Sequence, residues 1–129
     1  MLMIIQTYGI MLLKAMGHTL LLCLLSLLFA TVIGMIFGLM NVGHNRVLNF
    51  IGTVYVDAVR GVPLIVLAYF IYFGIPSGIQ SLGFTNFRMN ALQGGTIALS
   101  MNCGAYMAEI IRAGIQSVDR GQMEAGRSL

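Results

Sequence analysis

Charged positions punctuate this chain in a few places and leave long apolar runs between them. No Lys, Arg, Asp or Glu occurs in residues 15–45, 61–87 or 89–108, runs of 31, 27 and 20 residues. At a rise of about 1.5 Å per residue, about 20 helical residues cross a hydrocarbon core about 30 Å thick. Each run therefore predicts one crossing, over residues 19–40, 53–74 and 91–108. The runs do not alternate in segments of about ten residues, which excludes a strand barrel. Residues 1–13 are apolar but short, with Gln6 and Gly9 in their midst, and predict an interfacial lead-in to the first crossing. The run from 19 to 40 exceeds the roughly 7–15 apolar residues of a secretory signal, and no small-x-small cleavage pattern follows it. It is read as a retained span.

Finer patterning lies inside the spans. Ala30, Gly34 and Gly38 recur every four residues, as do Thr96, Ser100, Gly104 and Ala108. In lipid, where nothing hydrophobic drives helices together, such stripes of small side chains let backbones approach and pack. The third span also holds Gln93, Thr96, Ser100 and Asn102, which either line a substrate path or hydrogen-bond between helices. Asp57 and Arg60 lie one helical turn apart, read first as an ion pair that fixes a kink before Pro63 and alternatively as a contact with substrate or a gate. Residues 75–90 read as a loop, because Pro76, Gly78, Gly83 and Asn86 interrupt the periodicity. Beyond the third span, Asn102, Glu109, Arg112 and Gln116 fall near one helical face, and Glu109 and Arg112 have the spacing of an ion pair. Asp119 to Gln122 has the form of a capping box opening a short helix over residues 120–129.

Composition narrows the class. Of 129 residues, 58% are hydrophobic and 9% charged, against about a quarter charged in soluble domains. Eleven charges cannot clothe a water-soluble surface of this size, so the chain is an all-α integral membrane protein in contact with the lipid bilayer. The net charge of +3 is explained by topology. Arg46, Arg60, Arg112, Arg120 and Arg127 share one side of a three-span arrangement, and Lys14 and Arg88 the other. The positive-inside rule then puts the N-terminus outside and residues 109–129 in the cytoplasm. No basic patch interleaves with aromatics, so nucleic acid is not a partner. Cys23 and Cys103 lie inside spans and read as small apolar filler. His18 and His44 are isolated, so no metal site is expected. The chain has no GxxxxGK[ST], HExxH or GxSxG motif. No catalytic residue is assigned, no cofactor is expected, and the chain is not read as an enzyme.

The segment from Glu109 to Leu129 resembles the EAA loop of ABC-importer permeases, specifically the polar amino acid uptake subgroup of histidine/glutamine type. Glu109, Arg112, Gly114, Ile115, Gly121, Gln122, Glu124, Ala125 and Leu129 match that run position by position. Tyr55 to Leu64, with Asp57, Arg60, Gly61 and Pro63, is similar to the Tyr-x-(acidic)-x-x-Arg-Gly-Thr-Pro-Leu stretch of the same family. Thr19 and the leucines opening the first span also fit. Val62 stands where Thr is usual, and Gly126 where a second Ala is usual. The glycine and later spans that follow in the family are expected beyond Leu129, so the chain resembles the N-terminal part of a type I permease fold, truncated after the EAA motif. The resemblance implies three transmembrane helices and the start of a cytoplasmic coupling helix, in a bacterial plasma (inner) membrane. Gly121, Gln122, Glu124, Ala125, Gly126 and Leu129 would form the surface that docks on an ATPase. It further implies three partners: an ABC ATPase subunit, an extracytoplasmic solute-binding protein and a second permease subunit. The function so implied is the permease subunit of an ATP-driven importer for polar amino acids. The alternative is a non-transporting membrane remnant or a small membrane partner protein.

Overall fold

The computed structural model describes the backbone of residues 1–129 and every side chain except that of residue 2. Among the described residues, all regular structure is helical. α1 (Leu2–Val42) is followed by α2 (Arg46–Gly61) and α3 (Leu64–Tyr69). A π-helical turn (Phe70–Gly74) joins α3 to α4 (Ile75–Ser81). α5 (Ala91–Gln116) and the short α6 (Arg120–Arg127) complete the order. Among the described residues, two stretches are long and apolar enough to cross a membrane, Met3–Val42 and Leu64–Ser81.

The lead-in and the first expected span form one unbroken helix of 41 residues. Neither Gly9 nor Gly17 interrupts it, because a glycine costs only about 1 kcal/mol in a helix interior and leaves every backbone bond in place. Most of its leucines, isoleucines and methionines are exposed. Its buried positions form one line instead: Ser26, Ala30, Gly34, Gly38 and Asn41.

That line meets the second small-residue stripe. Gly34 lies against Gly104, Met107 and Ala108, and Gly38 against Ala108 and Ile111. Gly104 in turn lies against Ala30 and Ile33. The partner numbers rise together, so α1 and α5 run parallel. A Cβ on Gly34 would sit 2.6 Å from Met107 Cβ, and one on Gly104 2.7 Å from Ile33 Cγ2. The close approach therefore depends on the missing side chains, and dispersion over that seam holds the pair together.

The second expected span, 53–74, differs from what forms. The helix breaks at Val62 and Pro63, whose backbones are extended (ψ 132° and 136°). Proline crowds the residue before it out of the helical region and has no N–H to continue the ladder. The apolar rod accordingly starts at Leu64 and continues through Ser81, taking in the first half of the expected loop. Pro76 is accommodated directly after the π turn, where widened spacing relieves the carbonyl that a proline ring would crowd. The connector shrinks to residues 82–90, where Gly83 takes a left-handed φ of 104°. Tyr72 packs at Gly94, while Leu64, Ile65 and Ala68 face Gly95, Ala98 and Leu99. The rod thus runs opposite to α5.

Candidate functional site

α2 is amphipathic and buries Gly52, Val56 and Val59. Asn45 caps its start by accepting from the Val47 N–H at 3.0 Å. Gly52 lets α2 touch α1, since any Cβ there would collide with the Asn41 carboxamide. Asn49 Nδ2 donates to the Asn41 carbonyl at 2.8 Å. The Tyr55 ring stacks on Phe37 with centroids 4.0 Å apart, and its hydroxyl donates to the Met101 carbonyl at 2.8 Å. One tyrosine therefore ties α2 to both other helices.

Between the ends of these three helices opens a polar cleft of about 290 Å³. Asn41, Asn49, Asp57, Arg60, Glu109, Arg112 and Gln116 are among its lining residues. The Arg112 guanidinium grips Glu109 through Nε, at 3.3 Å, and through a second bond from Nη2 to Oε1. Its Nη1 donates to Gln116 Oε1 at 3.3 Å. Arg60 comes from α2 to lie 3.9 Å from Glu109 Oε2, with its guanidinium 5.2 Å from the Tyr106 ring centroid. The hydrogen bond from Arg112 holds the Glu109 carboxyl below the usual carboxylate range. Partial burial opposes that, and the charges of Arg112 and Arg60 reinforce it.

The expected partnership of Asp57 with Arg60 does not form. Arg60 turns to Glu109 instead, and among the described residues Asp57 has no ion pair within 4 Å. The cause is tertiary: α5 brings a carboxylate to the end of α2, beside an aromatic face that also attracts the cation. Glu109 and Arg112 sit together at i,i+3 spacing. Of the four residues expected on one face, Glu109, Arg112 and Gln116 share the cleft, and Asn102 is not among its lining residues.

The four residues considered for a substrate path or for bonding between helices have these surroundings. Gln93 closes a capping box at the start of α5, accepting from the Asn90 N–H at 3.1 Å while Asn90 accepts from the Gln93 N–H at 2.8 Å. Thr96 and Ser100 are buried against α1, and the Ser100 hydroxyl lies within reach of the Thr96 carbonyl (2.5 Å) and the Ser26 carbonyl (3.3 Å). Asn102 is half-buried. Capping occupies Gln93 and backbone carbonyls accept from Ser100, whereas the buried hydroxyls of Thr96 and of Ser26 on α1 have no hydrogen-bond partner among the described residues.

α6 is the other candidate surface. Asp119 caps it, accepting from the Gly121 N–H at 3.0 Å. The reciprocal contact expected from Gln122 is absent; its backbone N–H bonds the Asp119 carbonyl at 3.1 Å. The helix ends at Arg127, short of the expected residue 129, because Ser128 closes it with N–H bonds to Glu124 and Ala125. No residue of α6 is buried. Gly121, Gln122, Glu124, Ala125, Gly126 and Leu129 are all exposed, alongside Met123 at 60% exposure. An eight-residue helix exposed on every face has little to stabilise it alone. Asn41, Asn49 and Tyr106 escaped sequence reasoning, and Tyr55 entered it only as the first residue of a family-like stretch, with no contact expected of it. Asn41 alone had a signal, since it continues the small-residue line of α1 by one turn.

With this geometry in view, likenesses to known proteins gain meaning. The family model of the binding-protein-dependent transport system inner membrane component matches residues 30–129. The chain is 40% identical over 111 residues to the probable glutamine ABC transporter permease protein GlnM of Bacillus subtilis, covering 86% of this chain and 48% of that protein. It is 35% identical over 116 residues to the probable amino-acid ABC transporter permease protein YckA of the same organism, covering 90% and 48%. A solved structure described as an amino acid ABC transporter with histidines matches with a TM-score of 0.72 at 33% identity, over 92% of this chain and 56% of that one. The chain spans about half the length of the curated relatives it matches.

Proposed function

The chain belongs to the family of binding-protein-dependent transport system inner membrane components, and on that premise we propose that it contributes the first spans and the coupling helix of an amino-acid importer permease. The substrate class is polar amino acids, in keeping with relatives named for glutamine and amino-acid transport. Three crossings, α1, the α3–α4 rod and α5, are supported by the parallel run of α1 and α5 and the opposite run of the rod between them. The third crossing tolerates its polar residues because Thr96 and Ser100 face α1 rather than lipid.

The observation that carries the reading is α6: a capped helix, exposed throughout, at the end of an α5 that continues past the apolar region without a break. Arg46, Arg60, Arg112, Arg120 and Arg127 put it on the cytoplasmic side, with the N-terminus outside. There, Glu124, Ala125 and Gly126, flanked by Gly121, Gln122 and Leu129, form the surface that docks on a separate ABC ATPase subunit. Small side chains at 125 and 126 let a groove close over the backbone. ATP-driven movement of that subunit pulls α6, and α5 carries the displacement into the membrane. An extracytoplasmic solute-binding protein delivers substrate, and a second permease subunit, alike or unlike, completes the path. Energy enters from the ATPase subunit.

The test is uptake by the full-length gene product reconstituted with its ATPase and binding protein. Glu124→Lys is expected to abolish ATP-driven uptake while leaving the amount of membrane-inserted protein unchanged. Undiminished uptake by that variant overturns the reading.

A further inference from the structure

Arg60 is the last charged residue of α2, and the helix breaks two residues later at Val62. Glu109 stands near the point where α5 leaves the apolar region, eleven residues before α6 begins. The two are brought to 3.9 Å across the polar cleft, and the same guanidinium lies over Tyr106, one turn earlier on α5. Arg112 holds Glu109 from the other side with two bonds and is itself steadied by Gln116. Both Glu109 oxygens thus accept from Arg112, which orients the carboxylate toward Arg60. Asp57 adds a second negative charge to the same cleft.

The mechanical consequence follows from connectivity. α5 is one uninterrupted helix from Ala91 to Gln116, so a displacement of α6 reaches Glu109 directly. The α3–α4 rod follows α2 through the extended residues Val62 and Pro63, and because proline fixes its own φ and restricts the residue before it, a displacement of α2 passes on to the rod. Near that joint, α2 meets α5 through the Arg60 contacts. Higher up, Tyr55 bonds the Met101 carbonyl. Arg60 supplies the polar contact nearest the break at Val62.

We infer that Arg60 is a positioning residue that clamps the C-terminal end of α2 to Glu109 and Tyr106, so that a pull on α6 moves α2 and the following rod together with α5. This rests on the reading of α6 as the coupling helix. Its readout is the stoichiometry of coupling, which a lower yield of folded protein does not alter.

The experiment compares Arg60→Gln, Arg60→Lys and Glu124→Lys in the full-length permease, reconstituted in lipid vesicles with its ATPase and binding protein. The quantity read is amino acid taken up per ATP hydrolysed. Arg60→Gln is expected to lower that ratio several-fold, and Arg60→Lys to retain most of it, since the ammonium keeps the charge opposite Glu109. A ratio unchanged in Arg60→Gln, with uptake lost in Glu124→Lys, overturns this inference alone. Equal losses in Arg60→Gln and Arg60→Lys also overturn it, because then the charge is not what matters. Normal uptake by Glu124→Lys overturns the underlying reading and this inference with it.

Discussion

Gly34 of α1 and Met107 of α5 are in such close contact that a Cβ on the glycine would lie 2.6 Å from Met107 Cβ. The Gly104 carbonyl and the Ala108 nitrogen, at 3.2 and 3.3 Å from the same point, are backbone and cannot swing aside. Gly34→Ala therefore pits overpacking, about 1–3 kcal/mol, against a gain in helix propensity of about 1 kcal/mol at most. Net destabilisation is expected. Gly114→Ala, with nothing within 4 Å, takes only the gain. Thermal unfolding of the full-length protein in detergent checks the opposite signs.

Tyr55→Phe keeps the stack on Phe37 and removes the hydroxyl that bonds Met101. The expected loss is about 0.5–1.5 kcal/mol, the net worth of one hydrogen bond. Tyr55→Leu, which also removes the stack, should cost more. If the two variants unfold at the same temperature as the unaltered protein, the tie between α2 and α5 has no energetic weight.

Acid should loosen the polar cleft. Glu109 titrates lower in the folded chain than its ordinary value of 4.5, chiefly through the Arg112 hydrogen bond. A depressed folded pKa means the unfolded chain takes up the proton first as pH falls. The stabilisation is complete above the ordinary value and disappears as pH drops through the folded one. Stability measured between about pH 6 and pH 3 should thus fall less steeply in Glu109→Gln than in the unaltered protein. Identical acid limbs would contradict the assignment.

The short helix α6 hangs on its cap. Asp119→Ala removes the acceptor for the Gly121 N–H and should cost the helix about 1 kcal/mol. Gly126→Ala should strengthen it by up to about 1 kcal/mol. Amide exchange over residues 120–128 in the isolated permease is expected to quicken in the first variant and slow in the second.

Topology is checked with one cysteine. Gln122→Cys, in a background lacking Cys23 and Cys103, should resist a membrane-impermeant thiol reagent in intact cells and react once the membrane is opened. Labelling from outside would invert the arrangement and remove α6 from any cytoplasmic partner.

What was legible in the sequence was what local chemistry decides. Charge-free runs marked a membrane protein, because uncompensated charges do not lie in hydrocarbon. The four-residue spacing of Ala30, Gly34 and Gly38, and of Thr96, Ser100, Gly104 and Ala108, marked faces for close packing. Asp119 marked the start of a helix, because a cap bonds its own backbone two residues on. Pro63 was visible too, although its effect was underestimated: it ends a helix and shifts the rod to Leu64–Ser81 rather than kinking a continuous span.

The tertiary structure alone decided which stripe met which, and what the polar groups were for. Nothing near Arg60 in the chain offered a better partner than Asp57, yet α5 brings Glu109 and Tyr106 to it from more than forty residues away. Spacing could not say that Gln93 closes a cap with Asn90 or that Ser100 lies against the Ser26 carbonyl of α1. Spacing along a helix fixes which residues share a face; it carries no information about the helix opposite, and a charge or a hydroxyl pairs with whatever that helix presents.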